Sequence, residues 1–189
     1  DKTEMNILIL GIVIFFSIHC VPIIPSLRNN LSSFLGDNGY KAFYSLLAFA
    51  GLGLIVYGFS IANSYPLWKP FPYSHAIAVW VMPFSFILLT ASSMKTNIKR
   101  YVRHPMLTGV LIWSLTHLIA NGDVRSLLLF ASFGLYSLVD MLFTKKNIPE
   151  DSTETYPVQK DITVIVIGLI VYGIGLYFHT YIAGVSVIK

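Results

Sequence analysis

Apolar residues run along this chain in six stretches, separated by short polar or proline-rich joints. The stretches are Met5–Ile24, Tyr40–Ala62, His75–Met94, Pro105–Asn121, Val124–Thr144 and Ile162–Val187. A helix needs about 20 predominantly apolar residues to cross the hydrocarbon core of a bilayer. The pattern therefore predicts an all-α integral membrane bundle of six transmembrane helices. Pro22 and Pro25 end the first span, because proline cannot donate the helical hydrogen bond and its ring clashes with the preceding turn. The segment from Ser26 to Gly36 reads as a short amphipathic helix at the interface. Tyr65 to Tyr73 form a proline- and aromatic-rich turn whose Tyr65, Trp68 and Tyr73 suit the interfacial aromatic belt. Asn121, Gly122 and Asp123 make a tight turn, and residues 145–161 a polar loop. No internal repeat or low-complexity tract interrupts this plan.

Composition agrees with a lipid environment. Charged residues make up 12% of the chain and apolar ones 55%, against about 25% charged in soluble domains. Asp1, Lys2, Thr3 and Glu4 precede Met5 and read as an expression leftover, outside a single domain over residues 5–189. The first apolar run lacks a basic leader and a small-residue cleavage site, so it reads as a retained span. Cys20 is the only cysteine, which rules out an intrachain disulfide. The net charge of +4 would point to nucleic acid in a soluble protein. Here the basic residues sit in loops and set topology instead. Nine of them (Arg28, Lys41, Lys95, Lys99, Arg100, Arg103, Lys145, Lys146 and Lys160) follow odd-numbered spans, and four (Lys2, Lys69, Arg125 and Lys189) lie on the other side. The imbalance puts the odd loops in the cytoplasm and both termini outside.

The candidate chemistry belongs to histidines. His19, His104, His117 and His179 lie within or at the mouths of spans, and an ionisable residue in a membrane is a functional candidate by default. The fourth span opens with Arg103, His104 and Pro105, proline being tolerated at a first helical position. Gly109, Trp113 and His117 then share one helix face. At Gly109 either a neighbouring helix or a flat cofactor can approach closely. His179 shares a face with Gly168, Tyr172 and Gly175, a pattern that helix packing explains as well as a cofactor does. The plain alternative for each histidine is an interhelical hydrogen bond. Zinc takes three or four ligands, and Asp140 is the only carboxylate well inside a span. Two neutral imidazoles from different helices suit haem iron better. No nucleophile-elbow motif is visible.

These residues resemble the NnrU family. The resemblance covers nearly the whole chain from Met5. It includes Phe15 to His19, Ser26-Leu27-Arg28, Leu35-Gly36, Lys41, Tyr44 to Leu46, and Pro66-Leu67-Trp68. It continues with Arg103 to Met106, Gly109, Trp113, His117 to Gly122, Leu127 to Phe130, Asp140, His179 and Ile182 to Val185. NnrU proteins are named for a link to nitrite and nitric oxide respiration and are similar to the plastid zeta-carotene isomerases. Those isomerases bind haem b, and their axial histidines match His19 and His117. The resemblance thus implies a bacterial inner-membrane protein holding haem b (heme) through these two residues. It further implies a redox-dependent, isomerase-like activity on a hydrophobic membrane-soluble substrate, or an accessory role in respiration. Ser114 stands where the isomerases carry a cysteine tied to redox switching. Arg103 is the candidate for a haem propionate, with Asp140 as its alternative partner.

A competing resemblance is to membrane methyltransferases, which use an Arg-His-Pro-x-x-x-Gly motif with S-adenosylmethionine. It would assign Arg103, His104 and Gly109 to that cofactor, but the paired glutamates those enzymes carry after the next span are missing. A third reading is a non-enzymatic assembly protein. At 1.5 Å rise per residue, His19 and His117 sit roughly 15 Å apart in membrane depth, so His19 with His104 is the fallback pair.

Overall fold

A computed structural model describes residues 2–144 and 154–183. The helices are α1 (Lys2–Cys20), α2 (Pro25–Ile61), α3 (Ser74–Ser93), α4 (Ile98–Tyr101), α5 (Pro105–Ala120), α6 (Val124–Phe143) and α7 (Val158–Ala183), with a 3₁₀ turn at Val21–Ile23. Among the described residues the only extended pairing is an isolated antiparallel bridge between Pro66 and Asp123. The all-helical architecture follows from the solvent: in lipid a backbone must satisfy its own hydrogen bonds. Five helices are long and apolar enough to cross a membrane, namely Thr3–Ile23, Pro25–Ile61, Ser74–Ser93, Val124–Phe143 and Val158–Tyr181. The sixth, Pro105–Ala120, is apolar but shorter. It starts where His104 leaves helical geometry ahead of Pro105 and stops at the extended Asn121.

Two boundaries differ from the sequence pattern. The expected interfacial helix does end at Gly36 (φ 71°, ψ 161°), but the second helix follows it directly across that kink, ahead of the expected Tyr40, so that the two run together as Pro25–Ile61. That left-handed φ costs glycine nothing, so helical structure resumes at once, and Ser32 Oγ bonds Asp37 across the break. The last helix starts at Val158, inside the segment expected to be loop. The rest of that expected loop, residues 145–153, lies outside the described residues.

The chain divides into two compact units. The first comprises residues 1–67 and 123–132. Its centre is the antiparallel pair α1/α2, made possible by missing side chains. A Cβ at Gly11 would lie 2.6 Å from Ile55 N, at Gly51 2.8 Å from Phe15 N, and at Gly58 2.5 Å from Leu8 N. The three contacts keep one register, the close backbone approach that small residues permit in membrane helices. Arg125, in the first turn of α6, closes this unit. Its Nη1 donates to the carbonyls of Phe59 and Ala62, 3.1 Å each, at the end of α2, and its guanidinium lies 4.8 Å from the Phe59 ring centroid. A cation at a helix C-terminus complements the orphan carbonyls there. Asp123 caps the following helix, accepting from Ser126 N (3.0 Å) and Ser126 Oγ (2.8 Å).

The second unit comprises residues 68–122 and the described residues from 133 onward, with α3 in contact with both α5 and α7. Ser85 Oγ donates to Gly109 O at 2.7 Å. A Cβ at Gly168 would lie 2.8 Å from Ile87 Cα. Pro83 lies inside α3 and cannot donate to the carbonyl four residues back, that of Val79. Tyr172 of α7 supplies the missing donor, its hydroxyl bonding Val79 O at 2.8 Å. Gly134 of α6 admits Ser114 of α5, whose Oγ would be 2.7 Å from an added Cβ.

Candidate functional site

His19 and His117 are built alike. Each stands four residues after an aromatic residue on an apolar helix, and each places its ring back over that turn. His19 Nδ1 lies 2.7 Å from Phe15 O, and His117 Nδ1 lies 2.8 Å from Trp113 O. A carbonyl only accepts, so in both rings Nδ1 is the nitrogen that donates a proton to it. The Phe15 ring stacks on His19 at 4.0 Å between centroids, and Tyr44 of α2 flanks it at 5.4 Å. Trp113 lies 5.1 Å from His117 and is itself met edge-on by Phe133 of α6 at 5.5 Å. Both histidines are half-buried. Backbone-tied imidazoles of this kind are the usual form of histidine ligands to a metal, because the hydrogen bond at one ring nitrogen fixes both tautomer and ring orientation.

His19 lies in the first unit and His117 in the second. Within the second unit His117 has a neighbour the sequence did not assign to it. The His179 ring of α7 lies 6.4 Å away, at 23° to the His117 plane. The face of α7 that carries His179 is the one packed on α3: Gly168 meets Ile87, Gly175 meets Phe86, and Tyr172 reaches Val79 O. Packing therefore uses that glycine pattern, and it also brings His179 to His117. Among the described residues no three His, Cys, Asp or Glu side chains gather as a metal cluster.

The opening motif of α5 divides into separate roles. Arg103 is exposed and His104 half-buried. His104 precedes the helix, its carbonyl accepting from Thr108 N at 2.9 Å. Gly109 is buried against α3, where an added Cβ would sit 3.0 Å from Ser85 O and 3.1 Å from Leu89 Cγ. Of the two partners the sequence allowed there, the neighbouring helix is the one in contact. Asp140 accepts from Tyr136 OH at 3.3 Å and from Thr144 Oγ1, both on or just beyond its own helix.

A second polar centre was not visible in the sequence. Asp161, in the first turn of α7, accepts from Thr96 Oγ1, Asn97 N (2.8 Å) and Asn97 Nδ2 (2.7 Å). Asn97 Nδ2 also donates to Tyr156 O at 2.8 Å, and Asn97 Oδ1 accepts from Tyr156 N at 2.9 Å. This cluster ties the loop after α3 to the start of α7. Its only sequence signal is a lone carboxylate beside an apolar run, which does not reveal a partner 65 residues away.

No curated protein and no solved structure matches this chain. A family model described as NnrU protein matches residues 7–187. With nearly its whole length matched, and with apolar helices that bear the histidines the resemblance singled out, the chain belongs to the NnrU family.

Proposed function

We propose that this chain is a haem b-binding membrane protein of six transmembrane helices, seated in the bacterial plasma membrane, in which His19 and His117 would hold the haem. The carrying observation is the repeated unit in which each histidine gives its Nδ1–H to the carbonyl one turn back, which turns the Nε2 edge of each ring away from its own backbone. Each residue by itself suits the group: an imidazole tied to its own backbone through Nδ1 and set beside aromatic rings. Haem b, when bound, supplies a one-electron redox centre or a position for a small ligand. The side chains do the rest. His19 and His117 would hold the iron through Nε2. Phe15 and Tyr44 flank the His19 imidazole, and Trp113, backed by Phe133, flanks that of His117. Arg103, exposed at the mouth of α5, suits a propionate because a guanidinium bonds a carboxylate in bidentate fashion. The activity this supports is redox-linked chemistry on a hydrophobic, membrane-soluble substrate, or an accessory role in respiration.

The deciding experiment is a visible spectrum of the pure protein expressed with ample haem supply. One haem b per chain, with the narrow reduced bands of six-coordinate low-spin iron, is the expected result. A colourless protein that binds S-adenosylmethionine stoichiometrically would replace this reading with methyl transfer.

The six-span arrangement puts both termini outside, and Arg100 tests it. This residue is exposed in α4, whereas nearby Asn97 is held by Asp161. In a Cys20→Ser background, Arg100→Cys should react with a membrane-impermeant thiol reagent only from the cytoplasmic side. Labelling in intact cells from outside would reverse the orientation.

A further inference from the structure

We infer that the recess between the end of α3 and the start of α7 is a binding site for the phosphate of an acidic phospholipid. The recess has a volume of about 210 Å³ and is lined by Met94, Lys95, Lys160 and Thr163. Two exposed lysine side chains thus line one small recess at the end of a helix pair. The basic-loop asymmetry assigns this end to the cytoplasmic surface. Basic pockets between membrane helices on that side are suited to anionic headgroups.

Three features make this a formed site. Lys160 stands in the first turn of α7, where the positive end of the helix dipole adds to its charge. Its Nζ lies 5.0 Å from the Tyr156 ring centroid, which limits its freedom. The Asp161 cluster with Thr96 and Asn97 fixes the loop bearing Lys95 against the helix bearing Lys160. Nearby carboxylates are engaged elsewhere. Asp161 accepts from Thr96 and Asn97, and Glu154 accepts from Tyr156 OH at 3.0 Å.

The same surface continues toward the bilayer as a path for an acyl chain. Val166, Ile167 and Ile170 follow Thr163 at helical spacing, and all three are exposed. A headgroup phosphate between the lysines, with its chain along this stripe, satisfies charge and apolar surface together. Free phosphate would satisfy only the first.

The test compares the full-length protein with Lys95→Gln/Lys160→Gln in neutral detergent. Native mass spectrometry would count retained phosphatidylglycerol against phosphatidylcholine, and thermal unfolding would follow added lipid. Wild type should retain and be stabilised by phosphatidylglycerol selectively. The double variant should bind it about 30-fold more weakly, matching two lysines at about 1 kcal/mol each at a membrane surface. Lys69→Gln, in the turn before α3, should leave binding unchanged. Equal phosphatidylglycerol binding by wild type and the double variant would overturn the site. So would an equal stabilisation by inorganic phosphate, or by phosphatidylcholine. Should the double variant unfold, competition settles the point: soluble glycerophosphate at equal concentration should not displace the lipid from wild type, and displacement would overturn the inference.

Discussion

His117→Ala is expected to yield protein with little or no haem, or with high-spin iron in place of the low-spin spectrum. Removing an outer-shell partner of a metal ligand typically costs about 10- to 100-fold in affinity, so loss of the ligand itself should reach the upper end or exceed it. His19→Ala should act separately and in the same direction, because it carries the same backbone-tied geometry in the other unit. His179→Ala gives the most informative comparison. Its ring lies 6.4 Å from that of His117, so it is the nearest substitute ligand within that unit. On the proposed assignment, His179→Ala keeps low-spin iron at full loading. Low-spin haem in His19→Ala, lost again on adding His179→Ala, would instead assign the iron to His117 and His179. Full loading and an unchanged spectrum in the His19/His117 double variant would remove both assignments. Reduced-minus-oxidised spectra and electron paramagnetic resonance read all of these outcomes.

Gly58→Ala should destabilise the protein by about 1–3 kcal/mol or more, the range for forced overpacking. The new Cβ would sit 2.5 Å from Leu8 N and 2.7 Å from Leu8 Cα. Both are backbone atoms, so no rotamer change relieves the clash and α1 must move away from α2. Gly53 is the internal control, on the same helix with nothing within 4 Å of an added Cβ. Gly53→Ala should be neutral or stabilise by up to about 1 kcal/mol, the helix-propensity gain alone. Thermal unfolding in detergent measures both. Equal effects of the two substitutions would show that propensity, and not the α1/α2 contact, governs this helix. Larger residues at Gly11 and Gly51 should behave like those at Gly58, since the three close contacts lie in one register.

Much of the helix plan was legible because its causes are local. Pro25 and Pro105 fix where α2 and α5 begin, since each sits at a first helical position where its missing N–H is not needed. The failures were local in a different way. The helix end at Gly36 is where the sequence put it, but the second helix begins directly after that kink and not at Tyr40. A glycine at positive φ can terminate a helix or join two, and the residues after it decide which. The start of α7 was placed too late because Lys160 and Asp161 look like loop composition. Asp161 is instead held by Thr96 and Asn97 from another segment.

The candidate site was legible as a set of residues and not as an arrangement. The spacing of Phe15 to His19 and of Trp113 to His117 is a sequence fact, and an i to i+4 step on a helix is enough to bring each Nδ1 to a carbonyl. The nearness of His179 to His117 depends on how α5 and α7 pack on α3. That packing is set by Gly109 and Gly168, and their partners Ser85 and Ile87 carry no mark of the pairing in the sequence.

The sequence alone therefore determined that this is a helical membrane protein of the NnrU type, with histidines as its notable intramembrane side chains. Span length, apolar content and proline position act residue by residue, and in lipid they leave the backbone few options but helix. Only the tertiary structure decided what answers each polar group: Tyr172 for the carbonyl freed by Pro83, Arg125 for the end of α2, Thr96 and Asn97 for Asp161. A buried donor or acceptor demands a partner, but nothing near it in the chain says which distant residue supplies one. That choice is made when small residues let particular helix faces meet.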